Sequence, residues 1–263
     1  MELGNYEVTL FTTFNKKGYD EYGRNMLASF KNNLPKDTCL LCYVDGFKAE
    51  NHEGVFFKDL HKSSANINDF KRKFSQFEKA NGILRSQEGR VEYNYNYDAI
   101  KFCHKVFCIT HALMNVNTRY AFWIDGDTVC KKEIPEGFFQ SFLSNGEYIC
   151  YLGRIHMYSE CGFIGFDTHN PVNQHFVTVY EDIFNTGDVF VLSAWHDCVA
   201  FDEVRNVFER EGFITSNNIS GIHSNTMHPF VNSILGNYMD HLKGPRRKKA
   251  GHSFQEDYVR SQV

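Results

Sequence analysis

A chain of 263 residues suits one large α/β domain or two small ones and can bury a substantial core. Its formal net charge of −4 gives no global attraction for nucleic acid. No run of about 18 apolar residues is present to span a membrane, and Met1-Glu2-Leu3-Gly4-Asn5 lacks the regions of a signal peptide, so a cytoplasmic protein is expected.

In chain order, Tyr6 to Phe14 is rich in β-formers and reads as the first strand. Tyr19 to Asn32 has helical spacing, with Tyr22, Met26, Leu27 and Phe30 on one face. Thr38 to Val44 is a second strand ending in Asp45-Gly46, and Val55 to Phe57 a short third. Ile67 to Lys79 is an amphipathic helix carrying Phe70, Phe74 and Phe77. Asn81 to Tyr97 is polar and reads as a long loop or lid. Ala99 to Met114 returns to helix, and an apolar strand then runs into Asp125. Ile134 to Leu143 reads as a short helix, Tyr148 to Leu152 and Cys161 to Phe166 as strands, and Val172 to Phe184 and Trp195 to Phe208 as helices. The remainder is turn-rich with a basic cluster. Alternating strands and helices predict an α/β fold: a Rossmann-like, mostly parallel central sheet flanked by helices. No repeat or linker is evident, so one domain, 1–263, is expected.

The 25 Phe and 14 Tyr serve a core first, though surplus Tyr and Trp also suit stacking on sugars or bases. The eight cysteines lie mostly in apolar segments and read as reduced core residues. Cys39 and Cys42 fall on opposite faces of a strand, which argues against a zinc knuckle.

The stretch Phe122-Trp123-Ile124-Asp125-Gly126-Asp127-Thr128-Val129 carries the chemistry. In extended backbone Asp125 and Asp127 project to the same side. Two such carboxylates can hold Mg2+ or Mn2+ at a strand end, with phosphates completing the shell. Gly126 has no Cβ, which leaves room for a ligand. Asp-Gly is also a common turn dipeptide. Near the C-terminus stands Met239-Asp240-His241-Leu242-Lys243-Gly244-Pro245-Arg246-Arg247-Lys248. His241 can complete a metal shell, and its imidazole suits Mn2+ better than Mg2+. Lys243 offers a point charge to phosphate, Gly244 a close backbone approach, and Arg246 a fork onto phosphate oxygens. Such a run also suits a solvated basic tail.

Together these residues resemble the GT-A fold of nucleotide-sugar glycosyltransferases, with a DxD motif at Asp125 and Asp127. The late His241, Lys243 and Gly244 resemble the glycogenin-like branch, although Gly-Pro-Arg-Arg follows Lys243 where Pro-Trp is typical. The lack of an anchor resembles compact bacterial or phage enzymes, which would place a phage-encoded protein in the host cytoplasm. The resemblance implies a nucleotide-sugar-binding half, 1–130, and an acceptor-binding half, 131–263, with a C-terminal diphosphate-binding segment. It implies a metal held by Asp125, Asp127 and His241, a UDP-sugar donor, and a carbohydrate or other hydroxyl acceptor.

Other residues fit that expectation. Thr12 and Thr13 end the first strand and Asp45 the second, where open α/β sheets bind ligands, though each also suits a cap. Lys101 and Lys105 are four apart on one helix, where the resemblance implies a basic residue over the donor. Trp195-His196-Asp197 begins a helix. By resemblance Asp197 faces the acceptor as base or orienting group, with His196 beside it, and Trp195 offers a face to a sugar ring. Cys198 stands where the blood-group branch has a Glu. Glu160 is a candidate catalytic or acceptor contact, and His223 and His228 read as surface residues. Rival readings are a sugar-nucleotide nucleotidyltransferase, which usually has a Gly-rich basic loop absent from Thr12 to Gly18, and a catalytically silent carbohydrate-binding relative.

Overall fold

The computed structural model describes residues 5–52 and 54–259. The first half contains β1 (Val8–Asn15), α1 (Lys16–Gly18), α2 (Arg24–Lys31), β2 (Thr38–Asp45), β3 (Val55–Asp59), α3 (Leu60–Ser63) and α4 (Ala65–Phe74). A small hairpin, β4 (Ile83–Arg85) and β5 (Val91–Tyr93), precedes α5 (Ala99–Asn115), β6 (Tyr120–Ile124) and β7 (Thr128–Cys130). Then come β8 (Ile149–Arg154), β9 (Met157–Asp167), α6 (Asn173–Asn185), α7 (Asp197–Arg210), β10 (Ser216–Asn218), α8 (Pro229–Asn232), β11 (Met239–His241) and α9 (Pro245–Ala250).

Among the described residues, seven strands form one mixed, mostly parallel sheet in the order β10-β8-β9-β6-β1-β2-β3. β1 pairs in parallel with β2 on one side and with β6 on the other, while β9 runs antiparallel to both β6 and β8. The chain therefore leaves β1 toward β2 and β3 and returns through α5 to β6 on the opposite side. That reversal of strand order is where open α/β sheets form a ligand crevice. The ends of β1 and β6 both face it.

β1, β2 and β6 are buried on both faces, which explains their nearly continuous apolar runs. Along β6, Ala121 and Trp123 join the core beneath α5, α6 and α7, while Phe122 and Ile124 join the core beneath α2. Leu40 and Cys42 alternate with Leu41 and Tyr43 in the same way along β2. Among the described residues, no helix is long and apolar enough to cross a membrane.

Several local expectations differ from what forms. The helix expected over Tyr19 to Asn32 opens with a π turn, Tyr19–Gly23, before α2. The helix expected to Lys79 ends at Phe74. The expected loop from Asn81 to Tyr97 holds the β4–β5 hairpin and a 3-10 turn, Tyr95–Tyr97. Only Gln140–Leu143 of the helix expected from Ile134 is helical, as a 3-10 turn after Gly137 at φ +74°. The helix expected from Trp195 starts at Asp197.

Gly165 of β9 packs directly against Phe122 and Cys150. A Cβ there would overlap the Phe122 ring and sit 2.6 Å from the Cys150 Sγ. Gly165→Ala should destabilise the protein by about 1–3 kcal/mol through overpacking, read as a lower denaturant midpoint with an unchanged slope.

Candidate active site

β6 ends at Ile124, and the Asp125 carbonyl accepts the Thr128 amide at 3.0 Å to close a turn through Gly126. The chain then enters β7, which pairs antiparallel with β11. That register sets Thr128 opposite His241, and the Leu242 amide donates to the Asp127 carbonyl at 2.9 Å. A short ladder thus joins two segments more than a hundred residues apart in sequence. His241 Nε2 lies 3.4 Å from Asp125 Oδ2 and 3.2 Å from Asp127 Oδ1. Its Nδ1 lies 2.9 Å from Glu160 Oε1 on β9. The imidazole fits there because residue 162 is glycine: a Cβ would meet His241 Nδ1 at 2.8 Å.

Charge within this crevice is closely balanced. Lys105 of α5 is partly buried and places its Nζ 2.9 Å from Asp125 Oδ1 and 2.8 Å from Asp197 Oδ2. It also donates to the Cys161 carbonyl. Trp123 Nε1 donates to Asp125 Oδ1 at 2.8 Å. Burial alone would raise the Asp125 carboxyl, but Lys105 and His241 hold it below the usual range. Asp127 is lowered in the same sense, chiefly by His241 against burial. Burial works against a charged His241, yet Asp127, Asp125 and Glu160 raise it well above the ordinary histidine value. Lys248 of α9 reaches Asp127 Oδ2 at 2.8 Å and lies over the Tyr22 ring, 4.4 Å from its centroid. Burial, with Asp127 and Asp125 nearby, pushes the Tyr22 phenol up to about 12.

The structure brings Asp125, Asp127, His241, Lys105 and Asp197 together and revises other assignments. Glu160 is buried, and its Oε1 lies 2.9 Å from His241 Nδ1, which places it behind the imidazole. His228 is buried rather than on the surface: its Nε2 lies 3.1 Å from the His241 carbonyl and its Nδ1 3.4 Å from Glu160 Oε1. Gly126 is required by packing, since a Cβ would sit 2.5 Å from the Phe14 ring. Lys101 is exposed and makes no contact with the carboxylates, because its ammonium lies over Phe102. Arg246 points outward to Glu256 at 2.8 Å, and Lys248 takes the inward position. Trp195 offers no open ring face: it is buried against Phe190, Phe77 and Tyr97, with Lys79 over the ring. His196 is buried between Tyr158, Phe102 and Tyr95.

At the strand ends, Thr12 is fully buried with an unpartnered hydroxyl, and Thr13 donates to the Tyr43 carbonyl at 3.0 Å. Asp45 is engaged by His61 at 2.5 Å and His104 at 3.3 Å. Lys243 is exposed next to Gly244, whose φ of +84° turns the chain into α9. Lys248, His228 and Tyr22 are the site residues that sequence reasoning missed. Lys248 stood in the basic run, but its direction depends on the Gly244 turn.

Asp125, Asp127 and His241 each offer a ligand atom, all within 4.8 Å of one another. Two carboxylates and an imidazole suit Mn2+, and anchoring Nδ1 on Glu160 leaves Nε2 facing the carboxylates, as in ligating histidines. The residues present therefore fit a divalent cation.

No protein-family model and no curated protein sequence matches the chain. Among solved structures, it is similar to apo mouse xyloside xylosyltransferase 1 at 14% identity and a TM-score of 0.45, covering 78% of this chain and 83% of that one. It is also similar to the apo bifunctional glycosyltransferase WbbM at 12% identity and a TM-score of 0.47, covering 76% of this chain and 38% of that one. The chain thus spans well under half of WbbM. At these scores the likenesses carry no functional argument, and the proposed function rests on the site's own geometry.

Two outcomes follow from the His241 environment. Glu160→Gln should weaken Mn2+ binding about 10- to 100-fold while the fold persists, measured by calorimetry beside circular dichroism. Because His241 is raised and protonated before metal enters, Mn2+ must displace that proton. Affinity should therefore rise with pH, with proton release showing as a dependence of the calorimetric enthalpy on buffer ionisation.

Proposed function

We propose that the protein is a metal-dependent glycosyltransferase that moves a sugar from a nucleoside diphosphate donor, with UDP the expected nucleotide, to a hydroxyl acceptor. The observation that carries this reading is the convergence of Asp125, Asp127 and His241 at the switch point of the sheet. Those three side chains would hold Mn2+ or Mg2+. When bound, the cation supplies Lewis-acid stabilisation of the charge that develops on a diphosphate leaving group.

The chain's own residues do the rest. Glu160 and Gly162 fix the imidazole, and the β7–β11 ladder fixes its distance from the carboxylates. Lys243 and Lys248 stand on the chain leading out of His241 and offer ammonium groups to phosphate oxygens. Lys105 is positioned deeper, where its one ammonium reaches both Asp125 and Asp197. Thr13 and Asp45 mark the strand ends nearest a nucleoside, and Asp197 at the start of α7 orients or deprotonates the acceptor hydroxyl. The half 1–130 would then serve the donor and 131–263 the acceptor.

The direct test is release of free UDP from a panel of UDP-sugars. Turnover should appear with Mn2+, disappear with excess chelator, and be abolished in Asp127→Ala with the fold retained. Full activity of that variant at saturating donor would refute the metal reading, and a nucleoside triphosphate requirement would favour nucleotidyl transfer.

Asp197→Asn separates the two halves of the site. Transfer to acceptor should fall by at least about a hundredfold while UDP affinity with Mn2+ stays nearly unchanged. Normal transfer with loss of UDP binding would reassign Asp197 to the donor side.

A further inference from the structure

Beside the carboxylate–histidine cluster lies a second one whose two thiols the proposed chemistry does not use. Cys161 of β9, Cys198 in the first turn of α7 and the Asp197 carboxylate place their ligand-type atoms within 4.8 Å of one another. Both cysteines are free thiols. Cys161 is buried, whereas Cys198 is half-buried. His196 packs immediately before them, and its Nε2 is buried without a hydrogen-bond partner. The other six cysteines, Cys39, Cys42, Cys103, Cys108, Cys130 and Cys150, are all buried.

The geometry points to Cys161 and Cys198 as an oxidisable dithiol whose disulfide ties the start of α7 to β9 and switches off acceptor-side chemistry. The last clause rests on the transferase reading, whereas the thiol chemistry stands apart from it. A cation in place of the disulfide is disfavoured, because the Lys105 ammonium already occupies Asp197 Oδ2.

The two thiols have unequal roles. The Cys198 thiol donates to Asp197 Oδ2 at 3.7 Å and the Cys161 thiol to the Ser159 carbonyl at 3.9 Å. The adjacent Cys161 thiol, helped by His196 and Lys105 against burial and Asp197, lowers Cys198 to about 7. Burial raises Cys161, which therefore keeps its proton. Cys198 is the nucleophile toward a peroxide, the oxidant class this pair would meet. Its thiolate attacks one oxygen of hydrogen peroxide, the O–O bond breaks, and Cys198 becomes a sulfenic acid with release of hydroxide. Cys161 sulfur then attacks the Cys198 sulfur. The S–S bond forms, the S–O bond breaks, and the departing hydroxide takes the Cys161 proton as water. In all, two thiols and one hydrogen peroxide give one disulfide and two waters. A dithiol reductant reverses the step by exchange.

The consequence follows from what flanks each sulfur. Cys161 supplies the carbonyl that Lys105 donates to, and Cys198 follows Asp197, the other partner of Lys105. Drawing the sulfurs from their present spacing to a bond of about 2.05 Å moves both Lys105 partners at once.

The test treats the intact protein with hydrogen peroxide and maps peptides without reduction. The expected result is a loss of two hydrogens, a Cys161–Cys198 cross-linked peptide, and full reversal by dithiothreitol. In Cys161→Ala, Cys198 should instead be captured by dimedone as the sulfenic acid. An unreacted pair, a sulfinic Cys198 with Cys161 still free, or linkage through other cysteines would overturn the proposal. Acceptor transfer should fall at least tenfold in the linked form and recover on reduction. Unchanged transfer by fully linked protein would overturn the switch and leave the transferase reading intact. Transfer absent from both forms would refute that reading, while the linkage, read by mass, would stand.

Discussion

The site depends on the sharing of one largely enclosed ammonium between two carboxylates. Lys105 serves Asp125 at the metal end and Asp197 at the acceptor end. An ionised group removed from water is costly unless paired and hydrogen-bonded, and losing one partner of such a pair costs about 3–5 kcal/mol. Lys105 meets that condition for both aspartates at once, with Trp123 and the Cys161 carbonyl completing the arrangement. His241 does the same for Asp125, Asp127 and Glu160. The concentration of negative charge that suits a cation is therefore held in place by cations of the protein's own.

Topology makes this sharing possible. The return of the chain through α5 to β6 brings Lys105 over the end of the strand that carries Asp125. The β7–β11 ladder then brings in His241, and the Gly244 turn brings in Lys248. β9 lies antiparallel to β6 and contributes Glu160, Cys161 and Gly162 in sequence. Each of these three neighbours touches a different part of the site: His241, Lys105 and the imidazole's packing space.

The sheet was legible because β1, β2 and β6 are buried on both faces and so read as unbroken apolar runs. Asp125 and Asp127 were legible as carboxylates suited to a hard cation, and His241 as an imidazole able to complete a metal shell. What could not be read was direction. Arg246 and Lys248 differ by two positions on α9, and only the folded turn shows that Lys248 points inward. Glu160 and His228 looked like acceptor and surface residues because nothing local in the sequence marks a buried hydrogen-bonded trio. Trp195 invites a sugar-stacking reading, but Phe77 and Tyr97, which cover it together with nearby Phe190, come from segments far from it in sequence. Gly126 was assigned to ligand approach when the Phe14 ring is what forbids a side chain.

Anomalous diffraction from crystals grown with Mn2+ and UDP would examine the central claim most directly. The account predicts a single strong peak bounded by Asp125, Asp127 and His241 Nε2, with Lys105 still bridging Asp125 and Asp197. A peak elsewhere, or UDP bound in the crevice with no metal beside those three residues, would contradict it.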